Sequence, residues 1–437
     1  MCNRNKFFCV LASISVAIWP TIMPTAIAQD SRSKASSGES VDPSKGNGND
    51  IRVKASEKLQ KLKSEIQEYD KAICLDPKQS SAYADRGHAK MQLKDFSGAI
   101  MDYDEALRLH PSDLVYRARG DAKCALKEFA SAIQDYSEAI RLYPTYATLY
   151  YQRGSAKVEL KDFKGAITDF DEAIRLYPKF GTAYNGRGIA KSYVGDYAGA
   201  TKDFDETINL KPKFSNGYFS RGTLRSLSKD YKGAVKDFDE AIRLDPKVAT
   251  AYLSRGTVRL LQSDYVSAMT DFDQAILLDP LQAADAYPVK SIILSCSPVE
   301  SQRNAGEAMK LADDALATKS SDGNAAHAKA CATALTGDFE AAIEWERKAM
   351  QNEGWKQDAT IITGGKLAEE RISSWQSNEL WLLPKTPGLK VGISLSSSNG
   401  LKLEIDQPQL RVDVECVTNL QIVGFVLALI VHQTTGQ

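Results

Sequence analysis

Between Ser81 and Pro280 one phrase is written six times, and this repetition limits the fold more than any other property of the chain. An Arg-Gly pair ends at Gly87, Gly120, Gly154, Gly188, Gly222 and Gly256, so that the spacings are 33, 34, 34, 34 and 34. A fixed period of this length marks stacked supersecondary units, each too small to bury its apolar face alone, so that stability has to come from contacts between neighbours.

Inside a copy, Tyr83, Gly87, Leu93, Phe96, Ala99, Ile100, Tyr103, Ala106 and Leu107 keep mostly three- and four-residue spacings. That pattern predicts two amphipathic helices of about 12 to 14 residues per copy. The break between them falls at Lys94-Asp95-Phe96, Lys161-Asp162-Phe163 or Gly195-Asp196-Tyr197, where an Asp, or Glu128 in the second copy, is placed to cap the second helix. Pro111, Pro144, Pro178, Pro212, Pro246 and Pro280 close the copies, because proline has no amide to give a continuing helix.

Glycine inside a helix costs about 1 kcal/mol against alanine, so its return in every copy asks for a close contact. The expected partner is the alanine that recurs as Ala99, Ala132, Ala166, Ala200, Ala234 and Ala268, with Tyr103, Tyr136, Phe170, Phe204, Phe238 and Phe272 filling the space around it. Arg86, Arg119, Arg153, Arg187, Arg221 and Arg255 each stand at one constant interval ahead of an acid, respectively Asp102, Asp135, Asp169, Asp203, Asp237 and Asp271. In a helical hairpin that interval predicts an Arg to Asp bridge across facing helices, expected to be half-exposed and worth about 0 to 1 kcal/mol.

These motifs resemble the tetratricopeptide repeat (TPR) family, in an Arg-Gly variety that carries Arg where the family commonly has Leu before the Gly. The resemblance implies a mainly all-α superhelical solenoid whose first helices line a concave groove for a polypeptide segment. Carried onto this sequence, the groove positions include Arg117, Asp121 and Cys124, then Tyr151, Asn185, Ile189, Phe219, Leu253 and Leu260. Apolar anchors are expected to dominate between about Tyr184 and Leu261. The Lys and Asn clamp with which some family members hold a terminal carboxylate is missing here.

Outside the six copies, which occupy 81–280, the chain divides by composition. Residues 1–28 read as a signal peptide: Arg4 and Lys6, an apolar run from Phe7 to Trp19, and the small-x-small site Ala26-Ile27-Ala28 before Gln29. An uncleaved anchor is the rival, and Pro20 and Pro24 favour cleavage. The expected location is therefore periplasmic or extracellular. Residues 29–50 read as a flexible linker. Residues 51–80 read as a partial capping repeat, with a charged first helix over Val53 to Lys63 and a second from Glu65.

Residues 281–383 read as degenerate helical repeats and a capping helix, with helices at Ala283 to Leu294, Ala305 to Thr318, Asn324 to Leu335, Glu340 to Ala349 and Lys366 to Gln376. From 384 to 437 the period drops to two: Lys390 to Leu395, Leu401 to Asp406 and Leu410 to Cys416 predict a small antiparallel β-rich tail. Its last run, Leu420 to Val431, is a buried strand or a contact with a partner or a membrane.

The formal charge is −1, from 55 basic and 56 acidic residues, so no electrostatic footprint for nucleic acid stands out. The acidic run Asp102-Tyr-Asp104-Glu105 lacks the glycine and final glutamate of a calcium loop. His88, His110, His327 and His432 stand apart, with no metal or nucleophile spacing. No cofactor and no enzyme are expected. The sequence describes a scaffold for protein partners; an envelope assembly factor working through its tail, and an accessory subunit of an enzyme complex, are the alternatives.

Overall fold

A computed structural model describes residues 48–297, 300–318, 323–352, 368–377, 380, 390–396 and 400–406. The chain divides into two units, one running up to Pro246 and the other starting at Lys247. The expected signal segment, most of the linker and the run from Leu410 to Val431 lie outside the described residues.

The first unit opens with α1 (Gly48–Leu75), a single helix of 28 residues. This corrects the expected pair of helices: no Gly or Pro interrupts the sequence between Val53 and Leu75, so the backbone continues through. Five hairpins follow: α2 (Ser80–Gln92) with α3 (Phe96–Leu109), α4 (Asp113–Ala125) with α5 (Phe129–Leu142), α6 (Ala147–Glu159) with α7 (Phe163–Leu176), α8 (Gly181–Tyr193) with α9 (Tyr197–Leu210), and α10 (Ser215–Leu227) with α11 (Tyr231–Leu244). First helices have 13 residues and second helices 14.

The turn within each hairpin is made by one residue at positive φ: Lys94 (64°), Lys127 (63°), Lys161 (61°), Gly195 (85°) and Lys229 (64°). The next residue caps the second helix. Asp95, Asp162, Asp196 and Asp230 accept the backbone N–H of Gly98, Gly165, Gly199 and Gly233. Glu128 makes no such bond, correcting the expected cap: its longer side chain does not hold the Asp geometry.

The close contact inside each hairpin is also corrected. A Cβ at Gly87 would come within 2.6 Å of Tyr103 Cε1, at Gly120 within 2.8 Å of Tyr136, at Gly188 within 2.7 Å of Phe204 and at Gly222 within 3.0 Å of Phe238. The glycine therefore makes room for the aromatic ring of the facing helix, whose atoms stand nearer than the fully buried recurrent alanine. Among next-but-one neighbours, the closest approaches are all between first helices, α2 with α4, α6 with α8 and α8 with α10. That places the first helices on the inner side of this unit.

The second unit begins with the hairpin α12 (Ala249–Leu261) and α13 (Tyr265–Leu278). Turns carry the chain to α14 (Ala286–Cys296), which starts later than the expected Ala283. Then come α15 (Ala305–Thr318), α16 (Gly323–Leu335), α17 (Phe339–Ala349) and α18 (Ala368–Gln376). The Gly-Asp-Phe joint recurs between α16 and α17, with Gly337 at φ 87° and Asp338 capping Ala341. Strands β1 (Lys390–Ser396) and β2 (Gly400–Asp406) pair antiparallel, from Lys390 opposite Asp406 to Ser396 opposite Gly400.

Candidate functional site

The hairpin geometry turns the expected Arg to Asp bridge into a deeper structure. Asp102, Asp135, Asp169, Asp203, Asp237 and Asp271 are all buried. In the first hairpin Arg86 Nη2 reaches Asp102 Oδ1 at 2.6 Å and Lys90 Nζ reaches Oδ2 at 2.8 Å. The same pair of cations returns as Arg119 with Lys123, Arg153 with Lys157, Arg187 with Lys191, Arg221 with Arg225 and Arg255 with Arg259. Sequence reasoning missed the second cation, whose signal is a basic residue one helical turn after each arginine.

Within the first unit each arginine also reaches back to the preceding element. Arg86 contacts Asp70, Arg187 contacts Asp171 and Arg221 contacts Asp205, at 2.6 to 2.7 Å, while Arg153 finds Ser137 instead. Within the first unit the guanidinium thus joins consecutive hairpins, and it lies over a tyrosine of its own helix, as Arg187 does over Tyr184 at 5.2 Å.

On the inner helices the expected groove residues are found, and most are packed away. Tyr151, Asn185, Ile189 and Phe219 are each only 4% exposed, and on α12 Leu253 and Leu260 are buried too. Tyr151 packs between Phe170 and Phe180, with centroids 5.9 and 5.2 Å away, and Phe219 against Phe238 at 5.6 Å. Such side chains form a floor beneath the inner face. Arg117 is half-buried and turns toward Tyr146, with Nη1 3.5 Å from Tyr146 Oη.

The unexpected feature is a set of polar atoms on this face left without partners. Asp121 on α4 accepts Tyr136 Oη at 2.7 Å and Gln152 Nε2 at 2.6 Å, both on Oδ1. Buried atoms with no hydrogen-bond partner include Tyr103 Oη, Arg117 Nε, Gln152 Oε1, Glu159 Oε1 and Asn185 Oδ1. Buried polar groups are normally satisfied, which sets these five atoms apart from the rest of the first unit. Burial pushes the Asp121 carboxyl up to about 6, against Tyr136 and Arg117, which pull it down. Burial likewise raises Glu159 and pushes the Cys124 thiol up to about 11. Gln152 and Glu159 were outside the sequence-derived groove set. What marks them is that they break the repeat: the positions of Gln152 hold Ala118, Gly186 and Ser220 in the neighbouring copies.

The second unit holds a buried polar cluster of its own. His327 Nδ1 lies 2.8 Å from Glu346 Oε2, and Arg371 Nε donates to Glu346 Oε1 at 2.7 Å, all three being fully buried. Burial and Arg371 push His327 down, but Cys331 and Glu346 outweigh them and bring it to about 9; Glu346 is held below the usual carboxylate range by His327 and Arg371 despite its burial. Enclosed on every side, the cluster ties α16, α17 and α18 together. Among the described residues no group of three His, Cys, Asp or Glu side chains is arranged to hold a metal, and no helix is long and apolar enough to cross a membrane.

The geometry defines helical-hairpin repeats stacked through their neighbours, with inner helices that carry both apolar side chains and unpartnered polar atoms. Three family models match such repeats: one described as TPR repeat over residues 120–161, one as tetratricopeptide repeat over 227–288, and another as tetratricopeptide repeat over 80–113 and 147–180. The chain carries tetratricopeptide repeats. No curated protein matches it. Similar solved structures include MamA protein, at 28% identity over 38% of this chain and 92% of that one, with a TM-score of 0.35. YrrB, titled a TPR protein with an unusual peptide-binding site, shows 20% identity over 42% and 95%, with a TM-score of 0.36. A tetratricopeptide repeat protein from Parabacteroides merdae shows 14% identity over 68% and 98%, with a TM-score of 0.42.

Proposed function

We propose that this chain is a non-enzymatic scaffold of the Arg-Gly variety of the repeat, and that it binds a polypeptide segment along the inner helices of its hairpins. The observation that carries the reading is the set of enclosed, unpartnered polar atoms on α4, α6 and α8. A peptide brings both donors and acceptors at short intervals, which suits successive helices that carry Arg117 Nε, Gln152 Oε1 and Asn185 Oδ1 without partners. Arg117, Tyr151, Asn185, Ile189 and Phe219 form the floor in the first unit, and Leu253 and Leu260 are the matching positions on α12.

The protein is exported on this reading, with its mature end at Gln29, because residues 1–28 combine a basic start, an apolar run and an Ala-x-Ala site. Amino-terminal sequencing of the purified protein decides this; Met1 at the end of the purified chain would reverse it. A second reading, in which the tail engages a membrane or another protein, is favoured by the apolar run Leu420 to Val431. A photo-crosslinking amino acid placed in turn at His88 on an inner helix, at Met101 on a second helix and at Leu420 separates the two. Adducts with polypeptide from His88 alone support the groove. Adducts from Leu420 alone transfer the function to the tail, and equal yields from Met101 remove the groove from the account.

A further inference from the structure

We propose that the seam between α4 and α6 is a receptor for a cationic side chain, the ammonium or guanidinium of a Lys or Arg carried by the bound polypeptide. The receptor deepens the groove reading above and rests on it.

Donors and acceptors at the seam do not balance. Both hydrogen bonds to Asp121 fall on Oδ1, which leaves Oδ2 without a donor from the chain. Gln152 is 9% exposed, its amide is fixed by the bond from Nε2 to Asp121, and its Oε1 is enclosed with no partner. Glu159, two turns further along α6, has an enclosed Oε1 in the same condition. Cys124 Sγ lies 3.5 Å from Tyr136 Oη, and the charges of Asp121 and Glu159 both raise its thiol. Asp121 Oδ2 and Gln152 Oε1, held together by the bond from Nε2 to Oδ1, thus both lack a donor at the seam, with the charge of Glu159 acting on the same thiol, and an ammonium has donors for both.

Lys127 acts on Glu159, but no cation among the described residues bonds Asp121. Arg117 hydrogen-bonds no carboxylate; its guanidinium sits over the Tyr146 ring, 5.9 Å from the centroid. A neutral donor would satisfy the hydrogen bonds but not the charge of a carboxylate withdrawn from water, whereas a cation satisfies both. A divalent metal would need more oxygen ligands than are gathered here, and no three-residue metal cluster occurs among the described residues. The groups facing Asp121 are Tyr103 on α3, Arg117 and Cys124 on α4, Tyr136 on α5 and Gln152 on α6, so Arg117 is the one cation among them. As pH falls through about 6, Asp121 takes up a proton and the site loses attraction for a cation.

The test uses the full chain and a phage-displayed library of random short peptides. Binders selected on the wild type are compared with those selected on Asp121→Asn, Glu159→Gln and, for the groove as a whole, Asn185→Arg, each checked for unchanged helical content. The expected result is Lys or Arg enriched at one position of the selected peptides, lost with Asp121→Asn or Glu159→Gln. For a selected peptide, Lys→norleucine should weaken binding roughly tenfold at pH 7.5, and less at pH 5. Basic enrichment that survives both acid substitutions overturns the proposal. Binders without basic residues that are lost with Asn185→Arg leave the groove reading standing and remove the cation receptor. Binders indifferent to all three substitutions, or no binders, remove both.

Discussion

Arg187 grips Asp203 with two hydrogen bonds, Nε at 2.9 Å and Nη2 at 2.6 Å, while Lys191 holds the same carboxylate from the other side at 2.9 Å. The acid is 3% exposed, so this is a buried ion triad and not the surface pair that its sequence spacing suggests. Removing the acid takes the shared partner from two mostly buried cations, of which Arg187 keeps Asp171. Asp203→Ala should lower stability by about 3 kcal/mol or more in denaturant unfolding. Asp205, 54% exposed and bonded to Arg221 at 2.7 Å, is the control: Asp205→Ala should cost no more than about 1 kcal/mol. Equal costs for the two would show that burial is not what gives the triad its strength.

The glycine and aromatic pair is tested in the same hairpin. A Cβ at Gly188 would stand 2.7 Å from Phe204 Cε1 and 2.9 Å from Cδ1. Gly188→Ala should therefore destabilise by about 1 to 3 kcal/mol through overpacking. Gly188→Ala combined with Phe204→Leu should cost less than the sum of the two single changes, because the smaller side chain yields the space. Strict additivity would separate the two residues.

The turn within the same hairpin isolates backbone conformation. Gly195 has φ 85° and no atom within 4 Å of where a Cβ would be. Gly195→Ala meets no steric neighbour, so its expected cost of about 1 to 2 kcal/mol is conformational alone. An unchanged unfolding midpoint would mean that the turn relaxes out of the left-handed region.

These cases show which part of the molecule a sequence exposes. The period announces the hairpins, and the constant interval between arginine and acid announces Arg187 with Asp203, because a repeated spacing fixes which helices face each other. It could not say which of two co-recurring residues the glycine meets: Ala200 and Phe204 return with the same period, and only the depth of the ring separates them. Nor could it give the 4% exposure of Tyr151, Ile189 and Phe219, which depends on how closely successive inner helices approach. Gln152 and Glu159 escaped for the opposite reason, since they occur once and the eye follows what recurs.

The buried cluster in the second unit carries a pH signature. His327 is raised from 6.5 to about 9, so the folded unit holds a proton that the unfolded chain releases over that interval. Its contribution is fully present below pH 6.5 and is lost as pH rises through 9. The neighbours that set it are Glu346, Arg371 and Cys331. Thermal unfolding should show a midpoint falling between pH 7 and 9.5, and His327→Gln should flatten that dependence while lowering stability at pH 6. A midpoint independent of pH over this range in the wild type would show that His327 is buried uncharged.

Asp121 should behave in the opposite sense to an ordinary ion-paired aspartate. Its carboxyl is raised from 3.8 to about 6 by burial, so the folded state holds its proton longer than the unfolded chain does. Stability from this group is present below pH 3.8 and is lost as pH rises through 6, where folding must keep a charge whose burial outweighs the help of Tyr136 and Arg117. Asp121→Asn removes that charge while keeping a side chain that can accept from Tyr136. The variant should exceed the wild type at pH 7.5 by on the order of 1 kcal/mol, and the two should converge near pH 4. A naturally placed acid that weakens its own fold at neutral pH is the trade expected of a binding residue, since the stability given up is recovered when a cation arrives. If Asp121→Asn instead destabilises at pH 7.5 as much as at pH 4, the carboxylate is already compensated within the chain, and its place at the seam is structural.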